Sequence, residues 1–177
     1  PLLTPSAAIQ QAGVSAITAV DNRWGRCDIK SISLLANVLL RQLSAADGHN
    51  ETILLRDGFL TEGSASSVFI VQNGRLLAPP KSNHMLPSIT YDVILELAER
   101  HQIPDAIRPI SEAELRDADE IWISSSPKEI LKVNQLDGQA IGKTPPASLY
   151  PKMLRYYQQF KREQILAAED DIQDDDN

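Results

Sequence analysis

Short apolar segments rich in Val, Ile and Leu recur along the chain, the pattern of buried strands. The segments are short and are separated by turn-forming residues. Asp57-Gly58 marks a turn, and Asn73-Gly74 and Asp137-Gly138 each join two segments in the way that favours a type I′ hairpin. The pattern predicts strands over residues 14–20, 52–55, 68–71, 75–78, 106–110, 120–124, 130–136 and 139–141.

A period of 3.6 residues, typical of amphipathic helices, appears in three longer segments. It predicts helices over residues 31–46, 90–100 and 148–167, and two shorter helices are predicted after N-caps at Thr4 and Ser111. The apolar face of the first long helix, which is expected to face the core, consists of Ile32, Leu35, Leu39 and Leu43. Because strands come in pairs and helices are few, the fold class is α+β, with a mixed or barrel-like sheet and flanking helices.

Length and charge narrow the class of protein further. The 177 residues suit one domain over residues 1–166, followed by an acidic tail over 167–177 that is expected to be disordered. A formal net charge of −7 argues against a nucleic-acid surface, which needs clustered Lys and Arg. No apolar run has the length that spans a bilayer. The single Cys27 excludes an intrachain disulfide and fits a reducing cytoplasm.

Lys30 is the first residue with candidate chemistry. It precedes the predicted helix over 31–46, where the positive end of the helix dipole would favour a neutral, nucleophilic amine. A solvated lysine in a polar loop is the commoner explanation of the same pattern. The three His residues show no metal-binding spacing, and the chain has no nucleophile–histidine arrangement and no nucleotide-binding fingerprint.

Three further segments could hold a ligand. Glu62 is followed by small hydroxylic residues that allow a ligand to approach closely, although a solvated loop would look alike. Residues 86–90 place backbone amides and a hydroxyl at the start of a helix, a favourable position for an anion. Residues 124–127 form a hydroxyl-rich turn after a strand. Capping and turn formation explain the last two segments equally well.

In this order, the four segments resemble those of the fold-type IV pyridoxal-phosphate enzymes, the class IV aminotransferases. Residues 23–31 (RWGRCDIKS) are similar to the stretch around the family's Schiff-base lysine, and residues 61–64 (TEGS) to the stretch that supplies a carboxylate to the pyridine nitrogen. Residues 86–90 (LPSIT) and 124–126 (SSS) resemble its two phosphate-binding segments. Within the family the match is closest to the D-amino-acid type, and it covers nearly all the chain before the acidic tail.

The resemblance implies a role for each matching residue. Lys30 forms the Schiff base with pyridoxal 5′-phosphate (PLP) and then moves the substrate proton. Glu62 pairs with the pyridine nitrogen, and Leu86 packs against the ring. The remaining cofactor-binding residues by this resemblance are Arg23, Ser64, Ile89, Thr90, Ser125 and Ser126. No metal is implied.

The sequence departs from the family pattern at three positions. Tyr91 stands where the family usually has Arg, Ser67 where Asn is common, and Ala65 where the D-amino-acid type often has Ser. The family's smaller N-terminal domain, which supplies a phosphate-binding Arg and residues that grip the substrate carboxylate, is expected to be absent, since the sequence begins at Pro1. The isolated chain is therefore expected to be weakly active or inactive.

The function that the resemblance implies is transamination between an amino acid, of the D type by the closest match, and a 2-oxo acid, by a cytoplasmic homodimer. Aminodeoxychorismate lyase and branched-chain aminotransferase of the same family remain open. A domain that kept the fold and lost the cofactor is the alternative from another class.

Overall fold

The computed structural model of the chain describes residues 4–32, 34–142 and 148–174, with side chains through residue 166. Its helices and strands follow the predicted order, with one additional strand, Phe59–Gly63, that the sequence analysis did not predict. The elements are α1 (Ala7–Ala12), β1 (Val14–Val20), α2 (Leu35–Ala46), β2 (Glu51–Arg56), β3 (Phe59–Gly63), β4 (Ser67–Gln72), β5 (Arg75–Ala78), α3 (Ile89–Arg100), β6 (Asp105–Ile107), α4 (Glu112–Arg116), β7 (Glu120–Ser125), β8 (Glu129–Leu136), β9 (Gln139–Ala140) and α5 (Tyr150–Asp174).

The strands form one mixed sheet in the order β3-β2-β1-β8-β7-β4-β5-β6, with β9 added to β8. The pairs β1–β2, β1–β8 and β5–β6 are parallel, and the other pairs are antiparallel. The two ends of this order meet, because the Leu60 N–H donates to the Ile110 carbonyl at 2.8 Å and the Glu112 N–H donates to the Gly58 carbonyl at 2.9 Å. The predicted α+β class with a mixed, barrel-like sheet is thus confirmed.

Alternate residues of the central strands enter two different cores. On β4, Val68 and Ile70 belong to an inner core, whereas Phe69 and Val71 belong to an outer core that α3 and α5 cover. Strand β7 repeats the alternation, with Trp122 in the outer core. Both faces of these strands are therefore buried, and their sequences read as continuous apolar runs. Strands β3 and β5, far apart in the sheet order, both contribute to the inner core, because the sheet curls around it.

Helix α2 differs from its prediction in its start and in its exposed face. It begins at Leu35 rather than residue 31, and its N-cap Leu34 has no side-chain hydrogen bond. The prediction that this apolar face points inward is wrong, because its members are all exposed, namely Ile32, Leu35, Leu39 and Leu43. The buried residues of the helix are Leu40 and Ser44. The period of 3.6 identified an apolar stripe correctly, but the stripe does not lie against the sheet.

Other boundaries moved for local reasons. Ser6, not Thr4, is the N-cap of α1, and its hydroxyl accepts from the Ile9 N–H at 3.3 Å. Strand β6 ends at Ile107, since Pro109 lacks a donor and Ile110 pairs with β3 instead. Helix α5 continues past residue 167 to Asp174 and so enters the acidic segment. That residues 167–177 are disordered in solution stays a prediction.

Candidate active site

A cleft of about 80 Å³ opens beside the segment that joins β1 to α2. Small-molecule sites usually measure roughly 300–1,000 Å³, so the described residues form part of such a site at most. The cleft brings together four of the residues singled out in the sequence, namely Arg23, Lys30, Glu62 and Leu86. It is completed by Trp24, Cys27, Ile29, Ser31, Leu34 and Asn37.

Glu62, near the end of β3, is a buried carboxylate whose two oxygens have different partners. Arg23 Nη1 lies 2.5 Å from Glu62 Oε1, and the Leu86 N–H donates to Glu62 Oε2 at 3.1 Å. Arg23 Nη2 also donates to the His84 carbonyl at 2.9 Å. The guanidinium and the backbone before α3 therefore fix the orientation of Glu62 in the wall of the cleft. A carboxylate oxygen has a further lone pair, so Glu62 can still accept from a ligand.

Asp21, which the sequence reasoning missed, holds Arg23 from the other side. Arg23 Nε donates to Asp21 Oδ1 and Arg23 Nη2 donates to Asp21 Oδ2, each at 2.9 Å. Thr61 Oγ1 donates to the same carboxylate at 3.0 Å, and Arg56 Nη2 lies 3.2 Å from it. The bidentate geometry fixes the plane of the guanidinium. An Asp two residues before a functional Arg, at the end of a predicted strand, was the signal available in the sequence.

The charges in this chain of contacts shift one another's pKa values. Burial alone would raise the pKa of Asp21, but the hydrogen bonds and charges of Arg23 and Arg56 outweigh it and lower the pKa to about 2. Burial would lower the pKa of Arg23, yet Asp21 and Glu62 raise it, so Arg23 stays a cation. For Glu62 burial dominates, and its pKa is raised despite Arg23. Glu62 consequently holds a proton more readily than an ordinary glutamate.

The lowered pKa of Asp21 predicts a specific loss of stability in acid. An ordinary Asp has a pKa of 3.8, and that of Asp21 is about 2 in the folded chain. The stabilisation from ionised Asp21 is therefore fully present above about pH 4 and is lost as the pH falls towards 2. The expected loss is about 2 kcal/mol in the free energy of unfolding, measured by urea unfolding between pH 5 and pH 2.

The variant Asp21→Asn isolates this contribution, because it lacks the titrating group. Its stability is expected to fall less between pH 5 and pH 2 than that of the unchanged chain. Asp28→Asn is the matched control, since Asp28 forms an exposed ion pair with Arg26. An acid-induced fall in Asp21→Asn as large as in the unchanged chain would show that Asp21 does not carry the effect.

Lys30 lies in the wall of the cleft, but not for the reason given by the sequence. Helix α2 begins at Leu35, so Lys30 precedes the helix by five residues and does not stand at its first turn. The helix-dipole argument for Lys30 is therefore wrong. Within the described part of the chain the Lys30 ammonium has no hydrogen-bond or ion-pair partner, and the side chain is exposed. Its amine is thus accessible from the cleft that Glu62 also borders.

The other predicted cofactor residues do not line this cleft. Ile89 is the first residue of α3 and is exposed, whereas Thr90 is buried and hydrogen bonds with Tyr157 of α5. Ser125 ends β7, and Ser126 begins the turn after it. The two predicted phosphate segments belong to elements that pack together, since α3, which begins at Ile89, contacts β7, which ends at Ser125.

Two hydroxyls near these segments differ in how they are used. Ser124 Oγ, at the end of β7, is fully buried and has no hydrogen-bond partner within the described residues. Buried polar atoms normally form at least one hydrogen bond. Ser64 Oγ, in contrast, donates to Glu51 Oε1 at 2.5 Å, so its proton is not available to a ligand. Glu51 is a second residue that the sequence reasoning missed.

The fold and the cleft define a class of enzyme, and sequence comparison agrees with it. The chain belongs to the family described as Amino-transferase class IV, which matches residues 1–136. It is similar to a D-alanine aminotransferase of Bacillus licheniformis, with 41% identity over 140 residues. That match covers 79% of this chain and 50% of the relative, so the chain spans about half the length of the curated relatives it matches.

Solved structures agree with this assignment. A putative branched-chain amino acid aminotransferase of Thermotoga maritima superposes with a TM-score of 0.78 and 25% identity, covering 90% of this chain and 58% of that one. A hypothetical aminotransferase of Mycobacterium tuberculosis, in its PLP-bound form, gives a TM-score of 0.76 and 26% identity over 85% of this chain and 57% of that one.

Two kinds of feature are absent from the part of the chain that the structure describes. In residues 4–32, 34–142 and 148–174 no helix combines the length and apolar character needed to cross a membrane. Among the described side chains, which end at residue 166, no three of His, Cys, Asp or Glu are grouped so that they could hold a metal ion.

Proposed function

We propose that the protein is a PLP-dependent aminotransferase that moves an amino group from a D-amino acid to a 2-oxo acid, with Lys30 as the residue that holds PLP. The observation that carries this proposal is the placement of Lys30 and Glu62 in the walls of one cleft, with Glu62 fixed by Arg23. Membership of the family and the D-alanine aminotransferases among the relatives support it.

The residues around the cleft fit PLP in their chemistry. The exposed Lys30, the buried carboxylate of Glu62 and the apolar side chain of Leu86 line the same cleft. PLP has a matching group for each of them: an aldehyde for the amine, a ring nitrogen for the carboxylate and a ring face for the apolar side chain. The raised pKa of Glu62 suits a group that shares a proton with a ring nitrogen. The unpartnered hydroxyl of Ser124 lies beside the predicted phosphate residues Ser125 and Ser126. When bound, PLP supplies the electron sink that makes the α-proton of an amino acid removable.

Each residue of this chain then has a defined task. Lys30 provides the amine to which the cofactor is attached, and its nitrogen afterwards takes up and returns the proton of the substrate α-carbon. Glu62 holds the proton at the ring nitrogen, and Arg23 keeps Glu62 in place. Leu86 excludes water from one face of the ring. The phosphate is assigned to the backbone of Ile89, the side chain and backbone of Thr90, Ser125 and Ser126. Ser64 is assigned to the other end of the cofactor, beside Glu62.

The proposal also covers the oligomeric state of the protein and its cellular compartment. Residues 1–166 are assigned as the cofactor-holding domain and residues 167–177 as an acidic tail. We assign the protein to the cytoplasm, since its single Cys27 fits a reducing compartment. We also expect a homodimer. The exposed apolar side chains of α2, which include Leu35 at 70% and Leu39 at 59% exposure, are the surface that a second copy would cover.

The test of the activity is a single half-reaction with D-alanine. The chain is loaded with PLP, and the pyruvate released per site is measured with lactate dehydrogenase. Because one turnover per site suffices, the measurement does not require a fast enzyme. We expect pyruvate from D-alanine, and no pyruvate from the Lys30→Ala variant treated in the same way. PLP-loaded protein that releases no 2-oxo acid from any donor would contradict the proposal.

A branched-chain aminotransferase is the second candidate, and the solved structure from Thermotoga maritima favours it. The same assay separates the two candidates when L-leucine replaces D-alanine as donor. Within the described residues that line the cleft, Arg23 is the only arginine, and Asp21 and Glu62 already occupy it. The cleft therefore does not choose between donors, and the D-amino-acid assignment comes from the relatives.

A further inference from the structure

Glu51 is a fully buried carboxylate that the proposed reaction does not use. It lies two residues before Ile53 and four before Leu55, which both face the inner core, so its side chain points to the same side of β2. An ionised carboxylate in such a place is costly unless it is paired and hydrogen bonded. Glu51 has these partners. The Thr52 N–H donates to it at 2.9 Å and Arg41 Nη1 of α2 lies 3.5 Å from it, and the other partners come from two turns distant in sequence.

One of the turns joins β3 to β4. Ser64 Oγ donates to Glu51 Oε1 at 2.5 Å, and Ser66 Oγ donates to Glu51 Oε2 at 2.7 Å. The packing is close: a Cβ added to Gly63 would lie 2.4 Å from Ser66 Oγ and 3.2 Å from the carboxylate carbon of Glu51. Asn37, which lines the cleft, donates from Nδ2 to the Ser64 carbonyl at 3.0 Å. The β3–β4 turn is thus linked to the cleft.

The other turn joins β7 to β8 and carries Ser125 and Ser126. Lys128 forms a charged hydrogen bond from Nζ to Glu51 Oε2, and its side chain is only 19% exposed. The next residue, Glu129, adopts a left-handed backbone conformation with φ of 54°, which a residue other than glycine adopts at a cost. Its carboxylate reaches α5, where Lys161 Nζ lies 2.5 Å from it. The β7–β8 turn is therefore held from both sides.

We propose that Lys128 is a positioning residue: its ion pair with Glu51 fixes the β7–β8 turn to the β3–β4 turn and so sets the distance between two groups of cofactor contacts. One group is Glu62 with Ser64, and the other is Ser125 with Ser126. This inference rests on the proposed function, because that function assigns the two groups to opposite ends of PLP. The separation between the two ends of the cofactor is then maintained by this ion pair, to which Arg41 of α2 adds a longer contact with Glu51 Oε2 at 3.5 Å.

The test compares Lys128→Met with Glu51→Gln and with the double variant, and uses Lys152→Met as the control. Lys152 is an exposed lysine of α5. Hydrogen exchange of the backbone amides in residues 64–67 and 125–128 is the first readout. In Lys128→Met both turns are expected to exchange about tenfold faster, although they are distant in sequence. Equal exchange in the variant and the unchanged chain would overturn the proposal.

The affinity for PLP, measured by absorbance titration, is the second readout. Lys128→Met is expected to bind PLP about tenfold more weakly. The double variant removes the unpaired buried charge that each single variant leaves, so it is expected to regain stability without regaining affinity for PLP. A double variant that binds PLP as tightly as the unchanged chain would show that the pair serves stability alone. If the unchanged chain bound no PLP, the proposed function would be contradicted, and the exchange measurement would still decide the role of Lys128.

Discussion

Replacing Arg23 with methionine is expected to lower the free energy of unfolding by about 3–5 kcal/mol, the usual cost of removing one partner from a buried ion pair. The side chain of Arg23 is 2% exposed, and it neutralises two carboxylates, Asp21 and Glu62. Without it, Glu62 would keep only the Leu86 N–H as a donor among the described residues. Asp21 would keep Thr61 Oγ1 and the half-buried Arg56. Equilibrium unfolding in urea, followed by tryptophan fluorescence, measures the change.

Arg26→Met is the matched control for this prediction. Arg26 lies three residues further along the same segment and pairs with Asp28, but its side chain is 58% exposed. Exposed ion pairs contribute little to stability because water and salt screen them. We therefore expect no measurable change in Arg26→Met. Equal unfolding midpoints for the two variants would contradict the role given to Arg23, whereas a loss confined to Arg23→Met confirms it.

Replacing Lys30 with alanine is expected to have the largest effect on function. PLP should no longer be retained after gel filtration, and the visible absorption band of the loaded protein should disappear. Stability should hardly change, because Lys30 is exposed and without a partner among the described residues. Absorbance spectra before and after loading, together with urea unfolding, separate these two outcomes.

Lys152→Ala provides the comparison for Lys30, since Lys152 is another exposed lysine at a distance from the cleft. It is expected to bind PLP and to show the same spectrum as the unchanged chain. A variant Lys30→Ala that kept the visible band would mean that another amine holds the cofactor. In that case the assignment of Lys30 would fail, although the family assignment would stand.

Most of the fold could be predicted because local and tertiary preferences agree. The Asx-Gly turns are examples: Asp57, Asn73 and Asp137 each adopt a positive φ, and the following glycine does too. The capping box of α4, between Ser111 and Glu114, is another. The mixed sheet followed from strands that come in pairs, whereas its closure through Ile110 depends on contacts that no local pattern encodes.

The α2 prediction failed because periodicity shows that a stripe is apolar but not what covers it. Leu39 and Leu43 were placed inward on this ground, and in the structure they are exposed. The start of the same helix was also misplaced, and the argument from the helix dipole for Lys30 failed with it. The assignment of Lys30 therefore depends on the family resemblance and on the cleft, and not on local helix chemistry.

The sequence predicted those residues of the candidate site whose own side chains are proposed to contact the cofactor or its partners. Lys30, Glu62, Arg23 and Leu86 were chosen from three separate segments, and the fold brings them to one cleft. The charged residues behind them were not foreseen. Asp21 lies two residues from Arg23 and could have been found in the sequence. Glu51 and Lys128 pair across strand β2 and the β7–β8 turn, and such pairing is visible only in three dimensions.

The central claim is that Lys30 holds PLP, and borohydride reduction followed by peptide mapping tests it most directly. Borohydride fixes PLP covalently to the amine that carries it, and mass spectrometry then locates the modified lysine. The account predicts one PLP group per chain, on the peptide that contains Lys30. Modification of another lysine, or no modification at all in the PLP-saturated protein, would contradict it.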